Sequence, residues 1–418
     1  MIYAHFCDIV MSVIKMFDII VLGAGASGTV AAISAKRKNP GIRVAIIEAM
    51  PVVGKKILAT GNGRCNLTNK NALDHDYYNK EFASVALNKF NVEKTLEFFN
   101  SLGLYTVTDD EGRVYPMSNT AASVVDALRF ECERLGITVI TDEKVTDIKK
   151  NGYFFVLGGR HRAKKVILAC GGKASPSQGS DGSGFELLTQ LGHKINTPLP
   201  ALVQMTSDNK IVRSFKGIRV KGKIKIFADS EEIGKTEGEI LFTEYGISGI
   251  ATMDAQRILC SHLKDKKCSL VVDLVPAFTK EEIRTRVDRI IEINPTLKSE
   301  NLLSGFLPKK IGKGLIKCAY VKDNTPINEI SEDNLNKICE LCKNFRVYVT
   351  SSKGFENAQV TRGGADVTEF DADSLESLKI KGLFATGELL DVDGGCGGFN
   401  LQWAWSSGMA AGENAINI

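Results

Sequence analysis

The stretch 17–48, FDIIVLGAGASGTVAAISAKRKNPGIRVAIIE, constrains the fold of this chain more than any other. An apolar run from Phe17 to Leu22 meets Gly23-Ala24-Gly25-Ala26-Ser27-Gly28. An alanine-rich helical pattern follows from Thr29 to Lys38, and a second apolar run, Val44 to Ile47, ends at Glu48-Ala49. Strand, glycine turn, helix, strand and acid in this order predict a dinucleotide-binding βαβ unit. Gly23 allows the tight turn, Gly25 lets a pyrophosphate approach the backbone, and Gly28 lets helix and strand pack closely. The helix N-terminus aims free N–H groups at the phosphates. Glu48 stands where a carboxylate accepts from ribose hydroxyls.

With 418 residues, the chain has room for two or three domains. Its 53 basic and 49 acidic residues leave a net charge of +4, too balanced and too scattered for nucleic acid or a membrane surface. Ten irregularly spaced cysteines without a signal peptide fit a reduced cytoplasmic interior. The only CxxC, Cys339 to Cys342, sits in a helical pattern with no second pair, which favours packing over metal. Residues 1–15 are apolar but too short to span a bilayer and lack a cleavage pattern. They read as a possible leader or start-site artefact, with Met16 or Met11 as the start.

Beyond Glu48, GKKILATGNGRCNLTN reads as a glycine loop carrying Lys55, Lys56 and Arg64, suited to a phosphate or flavin edge or, equally, a solvated basic turn. Helices are expected over 80–101 and 120–135, the second with Thr120 as N-cap candidate and Gly136 as stop. A hairpin is expected between them and another at Asn151-Gly152. A buried strand from Lys165 ends at Ala169-Cys170-Gly171, where small residues let the chain pass close to a dinucleotide. After a glycine-rich loop, 185–191 reads as a short helix. Residues 197–275 read as short β-like runs, and 278–343 as helices beginning with Thr279 as N-cap candidate. Strand character returns at FRVYVTSS and again at Leu383 to Ala385. Gly394, Gly395, Gly397 and Gly398 then precede a helix from about Asn400, a second place for backbone N–H groups to meet an anion or a flavin carbonyl. Glu388 and Asp393 are candidate acceptors for ribityl hydroxyls.

Several segments in order, GAGASG with Glu48, GKKILATGNGRCNLTN, GGKASPSQGSDGSGFELLTQLGHKI, GEILFTEYGISG, TRGGADVTEF and GLFATGELLDVDGGCGGFNLQWAWSSG, carry a resemblance from Met16 onward. The chain resembles the bacterial NAD(P)/FAD-dependent oxidoreductase flavoproteins with aminoacetone-oxidase-type and bile-acid-dehydrogenation-related members. The resemblance implies an α/β fold: a split, glutathione-reductase-type, Rossmann-like FAD-binding domain interrupted by a small β-barrel and a helical subdomain. The expected division is 1–195 and 359–418 for the FAD domain, 196–276 with 345–358 for the barrel, and 277–344 for the helices. It implies Gly23, Gly25, Ala26, Ser27 and Gly28 at the pyrophosphate and Glu48, followed by Ala49, at the adenosine ribose. Lys55, Lys56, Asn62, Gly63, Arg64, Cys65 and Asn66 lie along the cofactor. Val145, on a strand after the second helix, meets the adenine, and Ala169, Cys170 and Gly171 pass beside it. Gly387, Glu388, Asp393, Gly397, Gly398, Phe399, Asn400 and Leu401 surround the ribityl chain and isoalloxazine. Two residues depart from the family pattern: Asn62 stands where glycine is usual, and Phe399 where tyrosine is frequent.

The expected activity is FAD-dependent hydride transfer through flavin N5 between NAD(P)H or a small organic substrate and an acceptor. No second complete GxGxxG unit is present, so NAD(P)H would act as a transient donor. The alternatives are an oxygen-using amine oxidase of the aminoacetone type and a flavin-dependent RNA-modifying or interaction protein. The RNA reading wants a clustered basic face, whereas the lysine-rich pieces at 221–225, 264–267 and 309–317 are short and interrupted. No catalytic acid or base emerges. Cys65 and Cys396 lack a sequence-adjacent resolving partner and read as packing, and His193 as a hydrogen-bonded structural residue. Arg213, Arg219, Glu244 and Tyr245 are candidates to face substrate.

Overall fold

The protein is described here from a computed structural model, which covers residues 16–417. The start-site reading of residues 1–15 lies outside the described residues. The chain forms two compact units, residues 16–198 with 363–417, and residues 199–362.

In the first unit, β1 (Met16–Leu22) is apolar on both faces, and Ile19, Ile20 and Val21 are fully buried. Such a run belongs inside a parallel sheet covered on both sides. It pairs in parallel with β2 (Val44–Ile47), Ile19 opposite Val44, and with the strand His161–Leu168, Phe17 opposite Ala163. Thr138–Ile140 extends the sheet beyond β2. Beside His161–Leu168 lie Phe154–Leu157, then Ile148–Asn151, both antiparallel. Leu383–Ala385 slots in parallel against the end of His161–Leu168, with Leu383 opposite Val166. A strand made more than 200 residues later therefore completes the sheet begun by β1.

Helix α1 (Ala26–Lys38) packs against the C-terminal helix Phe399–Asn414. The approach is backbone to backbone. A Cβ on Gly408 would lie 2.4 Å from Ser27 O, and one on Gly412 would lie 2.3 Å from Ala31 O.

Several local expectations are revised. The 80–101 helix is two helices, Lys80–Lys89 and Val92–Ser101. Asn91 starts the second by accepting from Lys94 N at 3.1 Å, a side-chain cap that outcompetes continuation. The 55–69 stretch contains a short helix, Lys55–Ala59, rather than loop alone. Val145 lies between strands Thr138–Ile140 and Ile148–Asn151, not on one. Thr120 caps Ala121–Arg134 as expected, accepting from Ala122 N.

The second unit holds an antiparallel sheet in the order Phe345–Val349, Cys268–Asp273, Arg219–Ala228, Glu231–Phe242, Gly246–Ser248, Met205–Thr206, Ser351–Ser352. Along Arg219–Ala228, Ile224 and Ile226 point inward while Lys221, Lys223 and Lys225 are exposed. The β-like stretch 197–275 also contains a helix, Ile250–Leu259, which buries Ala251, Ala255 and Leu259 at helical spacing. Helices Lys280–Ile293, Lys309–Cys318 and Glu332–Lys343 follow. Thr279 and Glu282 form a reciprocal capping box at the first of these. Cys339 and Cys342 are buried in this unit's core.

Candidate functional site

The three glycines of the first turn do different work. Gly23 has φ +103°, and a Cβ there would lie 2.4 Å from Ala169 O. A Cβ on Gly28 would lie 2.0 Å from Gly23 O. Both glycines are required by the protein itself. Among the described residues none lies within 4 Å of a Cβ built on Gly25, so packing does not explain the glycine there. Gly25 is also the N-cap of α1, with no side-chain cap and no acid in the first turn. The helix thus presents uncapped N–H groups beside open space, the arrangement that receives an anion.

Glu48 is held at the end of β2 by two backbone donors. Its Oε2 accepts from Ala24 N at 2.6 Å and its Oε1 from Met50 N at 2.8 Å. Each carboxylate oxygen keeps a further lone pair for a ribose hydroxyl. A Cβ on Gly179 would come within 2.9 Å of Met50 Cγ and 3.9 Å of Glu48 Oε1, so the 173–182 loop runs alongside the acid. Glu143 N donates to Glu48 O at 3.0 Å, which brings the segment containing the buried Val145 past the same strand end. Ala169 N donates to Leu22 O, setting Ala169-Cys170-Gly171 beside the glycine turn.

The far end of the chain joins this turn directly. A Cβ on Gly387 would lie 2.7 Å from Ser27 Oγ. Gly387 N donates to Ser407 Oγ at 2.9 Å, and Trp403 Nε1 donates to Gly387 O at 3.0 Å. Both polar groups of Gly387 are therefore tied to the C-terminal helix. Glu388 pairs with Lys56 at 3.0 Å, so a predicted cation and a predicted acid from opposite ends of the sequence meet. Asp393 is 1% exposed.

Asn62 has φ +55°. Asparagine is the side chain that best tolerates this left-handed region, which accounts for its replacing a glycine. Cys65 also has positive φ and is fully buried; burial pushes its thiol up to about 11. Burial likewise pushes Cys170 up to about 12. Neither thiol is poised as a nucleophile at neutral pH. Arg64 lies over the Tyr115 ring, its Cζ 4.8 Å from the centroid.

Asn400 clamps the second glycine loop. Its Oδ1 accepts from Gly394 N at 2.8 Å, and its Nδ2 donates to Gly394 O and Gly395 O. Phe399 and Leu401 flank it at the start of the C-terminal helix, both partly buried. Gly397 and Gly398 have φ +129° and +98°, and a Cβ on Gly398 would lie 2.6 Å from Thr68 O.

Three buried side-chain oxygens in this unit have no hydrogen-bond partner among the described residues: Asn66 Oδ1, Ser180 Oγ and Thr386 Oγ1. Each borders a glycine of these loops. A Cβ on Gly398 would be 2.9 Å from Asn66 Oδ1, one on Gly171 would be 3.0 Å from Ser180 Oγ, and Thr386 precedes Gly387. Buried polar atoms are normally satisfied, so orphans gathered along glycine loops fit a polar ligand with many donors and acceptors, as FAD has. Sequence reasoning missed Ser180 and Thr386, since lone hydroxyl residues carry no pattern.

A buried polar chain holds the site from behind. Thr68 Oγ1 donates to Gln402 Oε1 at 2.5 Å, Gln402 Nε2 donates to Thr95 Oγ1 at 2.8 Å, and Trp405 Nε1 donates to Leu67 O at 2.8 Å. His193 is buried, with Nδ1 2.8 Å from Glu369 Oε2 and Nε2 2.9 Å from Ser377 Oγ, and plays a structural part. In the second unit Arg213 pairs with Asp208 at 2.9 Å, Arg219 with Glu239, and Glu244 with Lys216, while Lys353 lies over the Tyr245 ring.

A mixed, mainly parallel sheet with a glycine turn at a strand end, an acid after the next strand and a second glycine loop at a distant helix N-terminus define a dinucleotide-binding Rossmann protein of the flavoprotein oxidoreductase class. The family described as "HI0933-like protein Rossmann domain" matches residues 17–414, and the chain belongs to it. It is 40% identical over 402 residues to a 3-dehydro-bile acid Δ(4,6)-reductase of Clostridium scindens, covering 94% of this chain and 98% of that protein. It is 28% identical over 411 residues to a ribosomal RNA dihydrouridine synthase of Escherichia coli, covering 96% and 98%. A solved 3-ketosteroid-Δ4-(5α)-dehydrogenase from Rhodococcus jostii superposes with a TM-score of 0.48 at 16% identity, covering 99% of each chain. No helix among the described residues is long and apolar enough to cross a membrane.

Proposed function

We propose that this protein uses FAD to reduce a carbon–carbon double bond conjugated to a carbonyl, in a small apolar acceptor of the bile-acid or steroid class, with NADH or NADPH as transient donor. The observation that carries this reading is the 40% identity, over nearly the full length of both chains, to a 3-dehydro-bile acid Δ(4,6)-reductase. FAD, when bound, supplies the atom that accepts and returns hydride.

The chain supplies position and electrostatics. The uncapped N-terminus of α1, with Gly23, Gly25, Ala26, Ser27 and Gly28, is assigned to the diphosphate, and Glu48 to the adenosine ribose. Lys55, Lys56, Asn62, Gly63, Arg64, Cys65 and Asn66 line the cofactor's length. Ala49, Val145, Ala169, Cys170 and Gly171 flank the adenosine end. Gly387, Glu388, Asp393, Gly397, Gly398, Phe399, Asn400 and Leu401 form the isoalloxazine end. There the positive end of the C-terminal helix favours negative charge on a bound group. The antiparallel sheet of the second unit is assigned to the small barrel and its helices to the helical subdomain. The protein is assigned to the cytoplasm.

Anaerobic mixing tests the reading. NADH or NADPH should bleach the bound flavin, and a 3-oxo-Δ4,6 steroid should restore its colour. Bleaching by aminoacetone but by neither nicotinamide, with hydrogen peroxide formed in air, would instead establish the amine oxidase.

A second reading, reduction of uridine in ribosomal RNA, rests on the 28% identity to the dihydrouridine synthase. Against it, the exposed lysine row of Arg219–Ala228 is answered by acids. Arg219 pairs with Glu239, Lys221 stands opposite Glu239, and Lys223 lies 3.9 Å from Glu237. These acids offset the charge that phosphate binding uses at three of the four basic positions, while Lys225 stands opposite Lys235. Salt-sensitive binding of ribosomal RNA at nanomolar strength would overturn this preference.

A further inference from the structure

The second glycine loop is gripped by Asn69, which ends the GKKILATGNGRCNLTN motif, and by the unmarked segment just after it. Asn69 Nδ2 donates to Gly397 O at 3.0 Å, Tyr78 N to Asp393 O at 2.8 Å, and Tyr77 Oη to Phe399 O at 3.1 Å. The remaining grip is His75. Gly395 N donates to His75 Nε2 at 2.7 Å. A backbone N–H can only donate, so Nε2 accepts and the ring is the neutral tautomer protonated at Nδ1.

The same imidazole stacks face to face on Phe399, with centroids 3.7 Å apart and planes 5° apart. Tyr77 meets both rings edge-on, at 5.2 Å from His75 and 6.5 Å from Phe399. Asn400 satisfies the carbonyls of Gly394 and Gly395 but not the Gly395 N–H. One side chain thus fixes both a loop amide and the first ring of the C-terminal helix.

Resting on the flavin reading above, we infer that His75 is a positioning residue of the flavin site: it holds the Gly394–Gly398 loop and the Phe399 ring in the arrangement that receives the isoalloxazine. Phe399 has no hydroxyl with which to make a hydrogen bond of its own, and the imidazole stack holds its ring. Gly397 and Gly398, both at positive φ just after the gripped amide, make the loop soft without it.

The test compares H75A, H75Q and H75F with wild type. It reads FAD affinity by flavin fluorescence, the visible spectrum of the bound flavin, and its reduction potential. H75A leaves the Gly395 N–H without its acceptor and should weaken FAD binding by roughly tenfold or more, with a displaced spectrum and potential. H75Q restores an acceptor near the Nε2 position and should recover most of the affinity. H75F keeps the stack without the acceptor and should bind FAD more tightly than H75A but less tightly than H75Q. Folding of each variant is checked by tryptophan fluorescence; should H75A not fold, H75Q and H75F decide. Variants that match wild type in affinity, spectrum and potential overturn the inference alone. Wild-type protein that takes up no FAD overturns the flavin reading and the inference with it.

Discussion

Replacing Gly408 with alanine places one methyl group between α1 and the C-terminal helix. The new carbon would start 2.4 Å from Ser27 O, whereas ordinary contact begins at 3.4 Å, so the two backbones must part by about an ångström. Alanine in a helix interior returns about 1 kcal/mol over glycine. Overpacking of a tight core costs typically about 1–3 kcal/mol, and the obstacle here is main chain, which yields less than a side chain. The expected net loss is about 2 kcal/mol, or a drop of about 4–8 °C in Tm for a unit of this size. The assay is selective, because the chain's two tryptophans, Trp403 and Trp405, both lie on this helix. Their fluorescence in urea follows the first unit and not the second. Gly41→Ala serves as control, since its Cβ would meet only Asn39 Oδ1 at 3.4 Å. The variant should also bind FAD less tightly, because Ser27 opens the phosphate turn. A G408A protein as stable as wild type would refute the backbone contact and the reasoning built on it.

Gly25→Val should cost about 1 kcal/mol or less in stability, as its side chain meets open space, yet weaken FAD binding measured by calorimetry about tenfold or more by blocking pyrophosphate approach. The buried His193 ring is held below its ordinary value of 6.5 by burial, against the opposing pull of Glu369. The unfolded chain therefore takes up a proton that the folded chain resists, so stability is present above 6.5 and is lost as pH falls below it. His193→Gln should flatten that slope in urea midpoints taken at successive pH values. Burial pushes Cys65 up to about 11 and Cys132, Cys170 and Cys342 up to about 12, so peptide mapping after iodoacetamide treatment at neutral pH should find these last to react.

Local chemistry made part of this readable. The βαβ unit announces itself because turn, cap and strand signals are neighbours in sequence. The Thr279 N-cap and the Asn151-Gly152 hairpin are legible for the same reason. The break at Asn91 was hidden because apolar spacing continues across it and only a single amide marks the new start. Helix Ile250–Leu259 was hidden among β-like runs because its buried face is alanine, whose apolar signal is weak. The polar chain through Thr68, Thr95 and Gln402 joins residues about 300 positions apart, beyond the reach of any window. His75 was missed because a histidine in an irregular loop has no period; only the ring of Phe399, 324 positions later, gives it meaning. The assignment of individual residues to FAD came from motif resemblance, and the geometry adds physical reasons at Gly25, Glu48 and Asn62.

The strand Leu383–Ala385 and the helix Phe399–Asn414 also set an order of events during synthesis. A ribosome adding about 5–20 residues per second finishes the βαβ unit many seconds before it reaches these elements. In between it makes the whole of residues 199–362. For that interval one edge of His161–Leu168 stands without Leu383–Ala385, and the face of α1 at Ser27 and Ala31 waits for Gly408 and Gly412. The nascent chain must therefore carry an unfinished sheet while a complete second unit emerges behind it. On the proposed reading, FAD uptake waits for the helix Phe399–Asn414 to close on α1.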